Sequence, residues 1–216
     1  MRLYIVRHGQ TEGNALDVRQ SRDGFLSPDG IQEARALADK LSELVIDSIF
    51  TSPFPRARQT ADIISAKVKQ LLVQESEYLA EVRLPSELIG TPKNDPRSER
   101  ILASIEAHYE SPGWRYADEE TFEEFTLRAR TVLDYLSRTG FERVVVVSHE
   151  RFIRVLVGII LLGKAFSPSA FREVRHKLFI SNTGVTVADL VDRDLGSWRL
   201  MTLNDHSHIR TTESHP

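Results

Sequence analysis

The stretch that decides the fold reads Leu3-Tyr4-Ile5-Val6-Arg7-His8-Gly9-Gln10-Thr11-Glu12-Gly13-Asn14. Its apolar run predicts a buried β-strand that begins almost at the first residue. The strand would deliver Arg7 and His8 to its carboxyl end, where open α/β sheets bind their ligands. A neutral imidazole beside a fixed guanidinium suits the capture of an anion such as phosphate, or attack on it. Gly9 and Gly13 would let the backbone approach another group closely, whereas the alternative is a strand followed by an ordinary polar loop.

A second landmark is the stretch Val144-Val145-Val146-Val147-Ser148-His149-Glu150. Four consecutive valines without alternation predict a strand that is buried on both faces, and therefore central in a sheet covered by helices. A helix candidate over residues 151–162 follows directly. Two central strands that each end in a histidine would place His8 and His149 at the same edge of the sheet.

Length and composition limit the classes of protein that the chain can belong to. Its 216 residues suffice for one large domain, and a net charge of −3 gives no electrostatic reason to expect nucleic acid or membrane partners. The absence of cysteine excludes disulfides, thiolate metal sites and cysteine nucleophiles. We expect no targeting segment before the first strand, and the apolar run from Phe152 to Leu162 is too short to span a bilayer. We expect a soluble, cytoplasmic protein whose oligomeric state the sequence leaves open.

Capping residues and apolar spacing predict the remaining regular elements. Ser27 followed by Pro28 is typical of a helix start, and the apolar residues after it recur at helical spacing. The other elements predicted are a strand over 46–51, a helix after Pro55, a short strand over 73–78, helices over 97–109 and 119–138, and strands over 182–191 and 197–203. In the helix over 119–138, the acids at 118–120 would complement the helix dipole.

Two features of the middle of the chain bear on function. Residues 79–118 interrupt the alternation of strands and helices, and such insertions usually form lids or specificity loops over a site. We expect one domain over residues 1–216, with 79–118 as a lid or specificity insertion. Arg56 and Arg58 lie at the start of a helix, where cations oppose the dipole unless one of them faces a bound anion. We interpret Arg58 as a solvated helix end.

Together these motifs resemble the histidine phosphatase superfamily, also called phosphoglycerate mutase-like. The resemblance covers essentially the whole chain in the right order. It is carried by Arg7-His8-Gly9 with Thr11 and Asn14, by Ser52-Pro53 with Arg56-Ala57 and Thr60-Ala61, by Ser148-His149, and by Glu81 in Leu79-Ala80-Glu81. It implies an α/β fold: a three-layer sandwich with a mixed, mostly parallel central sheet flanked by helices, and a small lid from inserted segments.

The resemblance also implies roles for individual residues in a phosphatase reaction. His8 would be the nucleophile that becomes phosphorylated, and Glu81 would protonate the leaving oxygen and then deprotonate the attacking water. The phosphate would be surrounded by Arg7, Arg56 and His149, with further hydrogen bonds from Asn14 and Thr11. A phosphorylated small molecule would be the partner, and neither a metal nor a cofactor is needed.

Elementary chemistry is consistent with these roles. A nucleophilic imidazole must be neutral, and neighbouring cations lower its pKa toward that state. The same cations stabilise charge on the equatorial oxygens of the transferring phosphoryl group. A general acid must hold its proton near the working pH, so Glu81 should be partly desolvated.

Several alternatives stay open at this point. Glu87 could be the acid instead of Glu81, although a surface residue paired with Arg83 is the interpretation that we favour. The enzyme could be a phosphoglycerate mutase, but the residues after Asn14 do not match the pattern of that branch. A non-catalytic phosphate- or phosphoprotein-binding module and a metal-dependent hydrolase are hypotheses from other classes.

Other candidate residues receive no catalytic role. His206 and His208 have a spacing that could mimic a metal site, but no third ligand lies nearby in the sequence. His108 and His176 lie in ordinary helix or loop context. Substrate contacts would come from a pool in the insertion that consists of Arg83, Lys93, Arg97, Arg100, Trp114, Arg115 and Tyr116.

Overall fold

A mixed sheet lies at the centre of the fold. The structure, a computed structural model, describes residues 1–193 and 196–209. In that part of the chain the strands are β1 (Arg2–Arg7), β2 (Ser48–Thr51), β3 (Val73–Glu75), β4 (Arg143–Ser148), β5 (Val185–Asp192) and β6 (Ser197–Asp205). Their order across the sheet is β3-β2-β4-β1-β5-β6, in which the first four are parallel, β5 is antiparallel to β1, and β6 is antiparallel to β5.

Helices cover both faces of this sheet. They are α1 (Glu12–Ala15), α2 (Pro28–Ser42), α3 (Pro55–Lys67), α4 (Pro96–Ala107), α5 (Phe122–Arg138), α6 (Glu150–Leu162) and α7 (Pro168–Lys177). Val144 and Val146 of β4 pack in one buried cluster with side chains of α5, α6 and α7. Val145 and Val147 pack in a second cluster with α2 and α3. The run of valines is therefore buried on both faces, and the predicted three-layer architecture is confirmed.

The start of α2 confirms a predicted cap and explains one close approach of backbone. The Ser27 hydroxyl accepts a hydrogen bond from the amide of Gly30, and Pro28 is the first residue of the helix. A side chain at Gly9 would place its Cβ 2.5 Å from the carbonyl oxygen of Gly30. Glycine at both positions lets the loop after β1 lie directly against the start of α2.

The structure corrects the start of one predicted helix and adds one helix that the sequence analysis does not predict. The helix predicted over 119–138 begins only at Phe122, because Thr121 forms a capping box with Glu124. The acids at 118–120 precede this helix: Asp118 accepts a hydrogen bond from the amide of Ser86, Glu119 accepts from the amides of Tyr116 and Ala117, and Glu120 pairs with Arg128 of α5. The acids in the first turn of the helix are Glu123 and Glu124 instead. Helix α7 was not predicted at all, although Ser167 accepts a hydrogen bond from the amide of Ala170 just as Ser27 does in α2. The same capping signal was therefore present in the sequence.

The inserted segment (residues 79–118) lies between β3 and α5 and has a small apolar cluster of its own. Leu88 of a 3₁₀ turn packs there with Ile101, Leu102 and Ile105 of α4. A single turn and one helix supply this cluster, which is separate from the two clusters on the sheet. Within the described residues no helix has both the length and the apolar character needed to cross a membrane.

Candidate active site

Two histidines meet at the carboxyl edge of the central strands. β1 and β4 are parallel neighbours whose last residues, Arg7 and Ser148, are paired in register. His8 and His149 follow these residues, and their ring centroids lie 5.1 Å apart at an angle of 61°. The amide of His8 also donates to the carbonyl of Ser148 at 3.0 Å. The strand register therefore fixes the pair of imidazoles, as the sequence predicts.

The hydrogen bonding of His8 determines which ring nitrogen is free. Its Nδ1 lies 2.7 Å from the carbonyl oxygen of Gly9. Because a carbonyl oxygen only accepts, we assign the proton to Nδ1 and the lone pair to Nε2. Burial, followed by the charges of Arg56 and Arg7, lowers the pKa of His8 well below its ordinary value. The imidazole is therefore neutral at neutral pH, as a nucleophile requires.

His149 is held between a hydroxyl and an aromatic ring. Its Nε2 lies 2.8 Å from Ser52 Oγ, and its ring centroid lies 4.9 Å from that of Phe54. Its Nδ1 is buried without a hydrogen-bond partner. Burial lowers the pKa of His149 well below its ordinary value, and the charges of His8 and the neighbouring arginines add to this effect.

Arg7 is buried and carries one uncommitted donor. Its Nη1 donates to the carbonyl of Ile180 at 2.5 Å, and its Nη2 lies 3.4 Å from a carboxylate oxygen of Glu150. Its Nε has no partner. Burial lowers the pKa of Arg7, and the charge of Glu150 opposes that shift. Sequence reasoning gave no role to Glu150, which contacts this arginine directly.

Arg56 approaches the same place from the start of α3. Its Nη1 donates to the carbonyls of Ser21 and Arg22 at 3.0 and 3.3 Å, and its guanidinium lies 5.0 Å from the centroid of the Phe54 ring. Burial lowers the pKa of Arg56 to about 10, so the side chain stays cationic at neutral pH. Its Nε is buried without a partner. Arg58, in contrast, is a surface residue in ion pairs with Asp62 and Glu75.

Side chains that carry unpartnered buried atoms line the same cavity. In the described residues, five buried side-chain atoms lack a hydrogen-bond partner, and three of them are Arg7 Nε, Arg56 Nε and His149 Nδ1. Buried polar atoms without partners are rare in proteins. Three of them on side chains that line one cavity indicate a place for an anion with several acceptor oxygens.

Glu81 lies on the same cavity, at the start of α6. Its carboxylate accepts hydrogen bonds from the backbone amides of Arg151 and Phe152 at 3.1 and 3.0 Å, and from that of Val82 at 3.0 Å. Its side chain is partly buried. Glu87 does not line the cavity. Its carboxylate pairs with Arg97 at 2.5 Å and not, as predicted, with Arg83.

Thr11 and Asn14 have different positions. The Thr11 hydroxyl donates to Asn14 Oδ1 at 2.9 Å and lies 2.7 Å from Gln20 Oε1, and the pair forms the capping box of α1. Asn14 lines the cavity, whereas Thr11 is buried behind it. Asn182, which sequence reasoning missed, donates from Nδ2 to the carbonyl of His8 at 3.0 Å and to Asn14 Oδ1 at 3.4 Å. Thr11 and Asn182 thus position the residues in front of them.

The cavity has a volume of about 1030 Å³ and extends from the histidines to the inserted segment. Of the seven residues in the predicted contact pool, Arg83 and Lys93 line it. Three of the others contact protein groups: Arg97 pairs with Glu87, Arg115 with Glu124, and Trp114 stacks on His108. Arg100 and Tyr116 are exposed and lie outside the cavity wall. The pool drawn from the sequence therefore supplies little of the cavity wall.

The histidines near the C-terminus do not form a metal site in the part of the chain that is described. His208 Nε2 lies 3.0 Å from Thr183 Oγ1, and burial lowers the pKa of His208 to about 4. Among residues 1–193 and 196–209, no group of three or more His, Asp or Glu side chains is arranged to hold a metal ion. His176 lies on the rim of the cavity.

Comparison with known proteins identifies the family. The model of the histidine phosphatase superfamily (branch 1) matches residues 3–206, so the chain belongs to that superfamily and is an enzyme of the histidine phosphatase type. The phosphoglycerate mutase-like protein 4 of Arabidopsis thaliana is 30% identical over 97% of this chain and 87% of its own length. A broad-specificity phosphatase of Saccharomyces cerevisiae is 27% identical over 88% of this chain and 80% of its own length.

A solved structure supports the same assignment. The mycobacterial glucosyl-3-phosphoglycerate phosphatase, solved in complex with VO3, superposes with a TM-score of 0.78. It is 25% identical, and the match covers 94% of this chain and 98% of that one. The resemblance stated from the motifs, and the fold class that it implied, are thereby confirmed.

Proposed function

We propose that the chain is a metal-independent phosphomonoester hydrolase that acts through a phosphohistidine on His8. The observation that carries this proposal is a neutral imidazole on the cavity wall, with Nδ1 bonded to Gly9 and Nε2 free. Arg7, Arg56 and His149, each with an unpartnered donor, line the same cavity. A nucleophile among preorganised cationic donors is the arrangement that phosphoryl transfer needs.

The reaction takes two steps. In the first, His8 Nε2 attacks the phosphorus, the bond from phosphorus to the ester oxygen breaks, and Glu81 gives its proton to the leaving oxygen. In the second, a water oxygen attacks the phosphorus while Glu81 takes a proton from that water. The phosphorus–nitrogen bond breaks, which releases inorganic phosphate and returns His8 to its neutral form.

The surrounding residues stabilise charge on the phosphoryl oxygens. Arg7 and Arg56 supply two fixed positive charges, so the protein itself provides what a metal ion supplies in other phosphatases. His149 adds a neutral donor from Nδ1 when Ser52 Oγ donates to its Nε2. Asn14 adds a polar group on the cavity wall.

The inserted segment supports a further part of the proposal. Residues 79–118 carry Glu81 and line the cavity through Val82, Arg83 and Leu84, and through Leu102 and Ala103 of α4. We infer that it is a lid within a single domain and that its closure limits access to phosphorylated small molecules. A cytoplasmic location stays a prediction from the sequence.

Phosphoglycerate mutase is the second candidate, because a mutase-like protein is among the relatives. A mutase must protect its phosphohistidine from water, whereas a phosphatase must admit water. Hydrolysis is favoured because the residues after Asn14 do not follow the mutase pattern. A binding module without turnover has no use for an acid such as Glu81, which is held by three backbone amides beside the site.

Hydrolysis of p-nitrophenyl phosphate in the presence of a chelator tests the proposal. We expect wild type to turn over, His8→Ala to lose activity, and Glu81→Gln to bind phosphate while hydrolysis falls by about 10²–10⁴-fold. Loss of wild-type turnover on chelation would contradict metal independence. Hydrolysis by His8→Ala at the wild-type rate would contradict the nucleophile. Phosphoglycerate isomerisation with a bisphosphate primer, in place of hydrolysis, would establish the mutase.

A further inference from the structure

The cavity is much larger than one phosphate group requires. The cavity has a volume of about 1030 Å³, and the side chains at the proposed phosphate position line only part of it. They are those of Arg7, His8, Arg56 and His149. The remainder lies between the inserted segment and the starts and ends of helices on the main body, and it is lined by cations that the reaction does not use. What these cations bind is therefore a separate question.

Three arginines line this remainder and form a group that we call the arginine cluster: Arg19, Arg151 and Arg175. Arg19 follows α1, Arg151 is in the first turn of α6, and Arg175 is in the last turn of α7. None of them belongs to the pool expected from the inserted segment. The arginine cluster thus belongs to the main body of the fold, whereas the inserted segment contributes Arg83 and Lys93 to the same cavity.

Arg151 is the central member of the cluster. Its backbone amide donates to Glu81, which fixes it beside the proposed acid. Its side chain is partly buried, and within the described residues its guanidinium makes no hydrogen bond or ion pair. A half-buried guanidinium on a cavity wall, without a counter-ion, is available to an anionic ligand.

Arg19 is buried and is bonded to neutral oxygens. Its donors contact the hydroxyl of Thr91 and the carbonyls of Pro92 and Lys93, and none of them contacts a carboxylate in an ion pair. Burial lowers the pKa of Arg19, the charge of Arg151 adds to this shift, and the charges of Asp95, Glu99 and Asp17 oppose it. Arg19 and Arg151 line the same cavity, so an anion bound between them would be stabilised by both positive charges.

Acids also approach this part of the cavity, and one of them is paired with the cluster. Glu99 and Glu106 of α4 line the same cavity, and Glu106 forms an ion pair with Arg175. The charges of Asp95, Glu99 and Asp17 act on Arg19, but none of these acids forms an ion pair with it, and Asp17 is paired with Lys93 at 2.8 Å. Within the described residues, Arg151 and Arg19 are therefore the members of the cluster without an ion pair.

We propose that the arginine cluster is a second anion subsite, and that the substrate is a short phosphomonoester carrying a second anionic group, a carboxylate or a second phosphate. This inference rests on the proposed function, because it assumes that the first phosphate lies beside His8. The planar guanidinium of Arg151 matches either anion through paired hydrogen bonds. Arg151 is a specificity-determining residue in this scheme and takes no part in the proton transfers.

A matched set of ligands tests the subsite. Glycerol 3-phosphate and 3-phosphoglycerate differ only in the replacement of a hydroxymethyl group by a carboxylate. Propane-1,3-diol bisphosphate, compared with propane-1,3-diol monophosphate, adds a second phosphate instead. The ratio of kcat/KM within each pair reports the contribution of the second anion, and the larger ratio identifies which anion the subsite prefers.

Arg151→Gln is the test variant, and Arg100→Gln is the control. Arg100 is an exposed residue of α4 outside the cavity wall, so its replacement makes the same change in net charge. We expect Arg151→Gln to lower the favoured ratio by roughly ten- to a hundredfold, as for a hydrogen bond to a charged group. Arg100→Gln should leave the ratio at its wild-type value. Because each ratio is taken within one variant, a general loss of activity does not affect it.

Calorimetric binding to His8→Ala separates this inference from the proposed function. In that variant both pairs are measured as Kd values, with and without Arg151→Gln, and no turnover is needed. Hydrolysis of all ligands with ratios near one would overturn the subsite while the phosphatase proposal stands. Absence of hydrolysis together with selective binding of the second anion would support the subsite and contradict the phosphatase. Equal binding within both pairs would show that Arg151 is a solvated cation only.

Discussion

The edge of the sheet that holds His8 and His149 and the inserted segment over 79–118 are built in opposite ways. The two histidines are almost fully buried and are placed by the register of adjacent strands. The inserted segment has a small apolar cluster, one helix and exposed ion pairs such as Glu87 with Arg97. The positions of the two histidines depend on backbone pairing, whereas the geometry of the inserted segment depends on side-chain contacts that single substitutions remove.

Core packing provides the largest expected difference between the two regions. Phe152→Ala empties a fully buried position against the sheet and should lower the free energy of unfolding by about 3–5 kcal/mol. Leu102→Ala, in the cluster of the inserted segment, should cost about 2 kcal/mol, because the smaller cluster is able to collapse around the gap. Urea unfolding measures both. An equal cost would show that the inserted segment is as tightly built as the main core.

Substitution of two arginines on α3 should have different effects on kcat. Arg56→Ala removes a buried cation from the proposed phosphate position, and we expect kcat to fall by about 10²–10³-fold, as when one donor to a developing charge is removed. Arg58→Ala is the matched control, because Arg58 is an exposed residue in ion pairs two positions along α3. It should leave kcat within about twofold and stability within about 1 kcal/mol. Equal losses of kcat in the two variants would contradict the assignment.

The parts of the site that strands position could be predicted from the sequence. When two apolar strands each end in a histidine and are parallel neighbours, both imidazoles lie at the same edge of the sheet. The proximity of His8 and His149 could therefore be predicted from the amino-acid sequence. The helix start predicted only that one of Arg56 and Arg58 faces an anion, and the resemblance to the family, whose motif includes Arg56 but leaves the position of Arg58 free, separated the two. A local pattern and one rule of sheet geometry were sufficient for the histidines, whereas the arginines also needed the resemblance.

The rest depends on contacts that are distant in sequence. Glu150 interacts with Arg7, and Asn182 supports His8, only because the chain returns to this edge of the sheet much later, 174 residues after His8 in the case of Asn182. The partner of Glu87 depends on how α4 packs, which no local pattern specifies. The sequence shows an arginine at position 151. Only the folded structure shows that, within the described residues, Arg151 forms no ion pair. Helix α7 is different, because its Ser167-Pro168 cap was present and was overlooked.

The buried histidines should make stability depend on pH. Folding lowers the pKa of both His8 and His149 below the ordinary value of 6.5. Above that pH both imidazoles are neutral in the folded and the unfolded chain, so they have no effect on stability. Below it the unfolded chain binds protons that the folded site does not, so stability falls by about 1.4 kcal/mol per pH unit for each histidine.

Urea unfolding between pH 7.5 and 5.5 in phosphate-free buffer measures this slope. His8→Gln removes one of the two titrating groups and should reduce the slope by about half of the total due to the pair. A wild-type stability that stays constant below pH 6.5 would mean that the imidazoles protonate in the folded state. That result would contradict the neutral nucleophile.

The smallest effect is expected for the acid that does not line the cavity. Glu87→Gln breaks an ion pair with Arg97 in which both side chains are exposed, so unfolding free energy should change by less than about 1 kcal/mol. Its kcat should stay within about twofold of wild type, whereas Glu81→Gln, which alters a carboxylate held by three backbone amides, should lose hydrolysis. The two substitutions are chemically identical and lie six residues apart in the same segment. If Glu87→Gln had the larger effect on kcat, the proton donor would come from the exposed face of the inserted segment, and the segment would have to rearrange to deliver it.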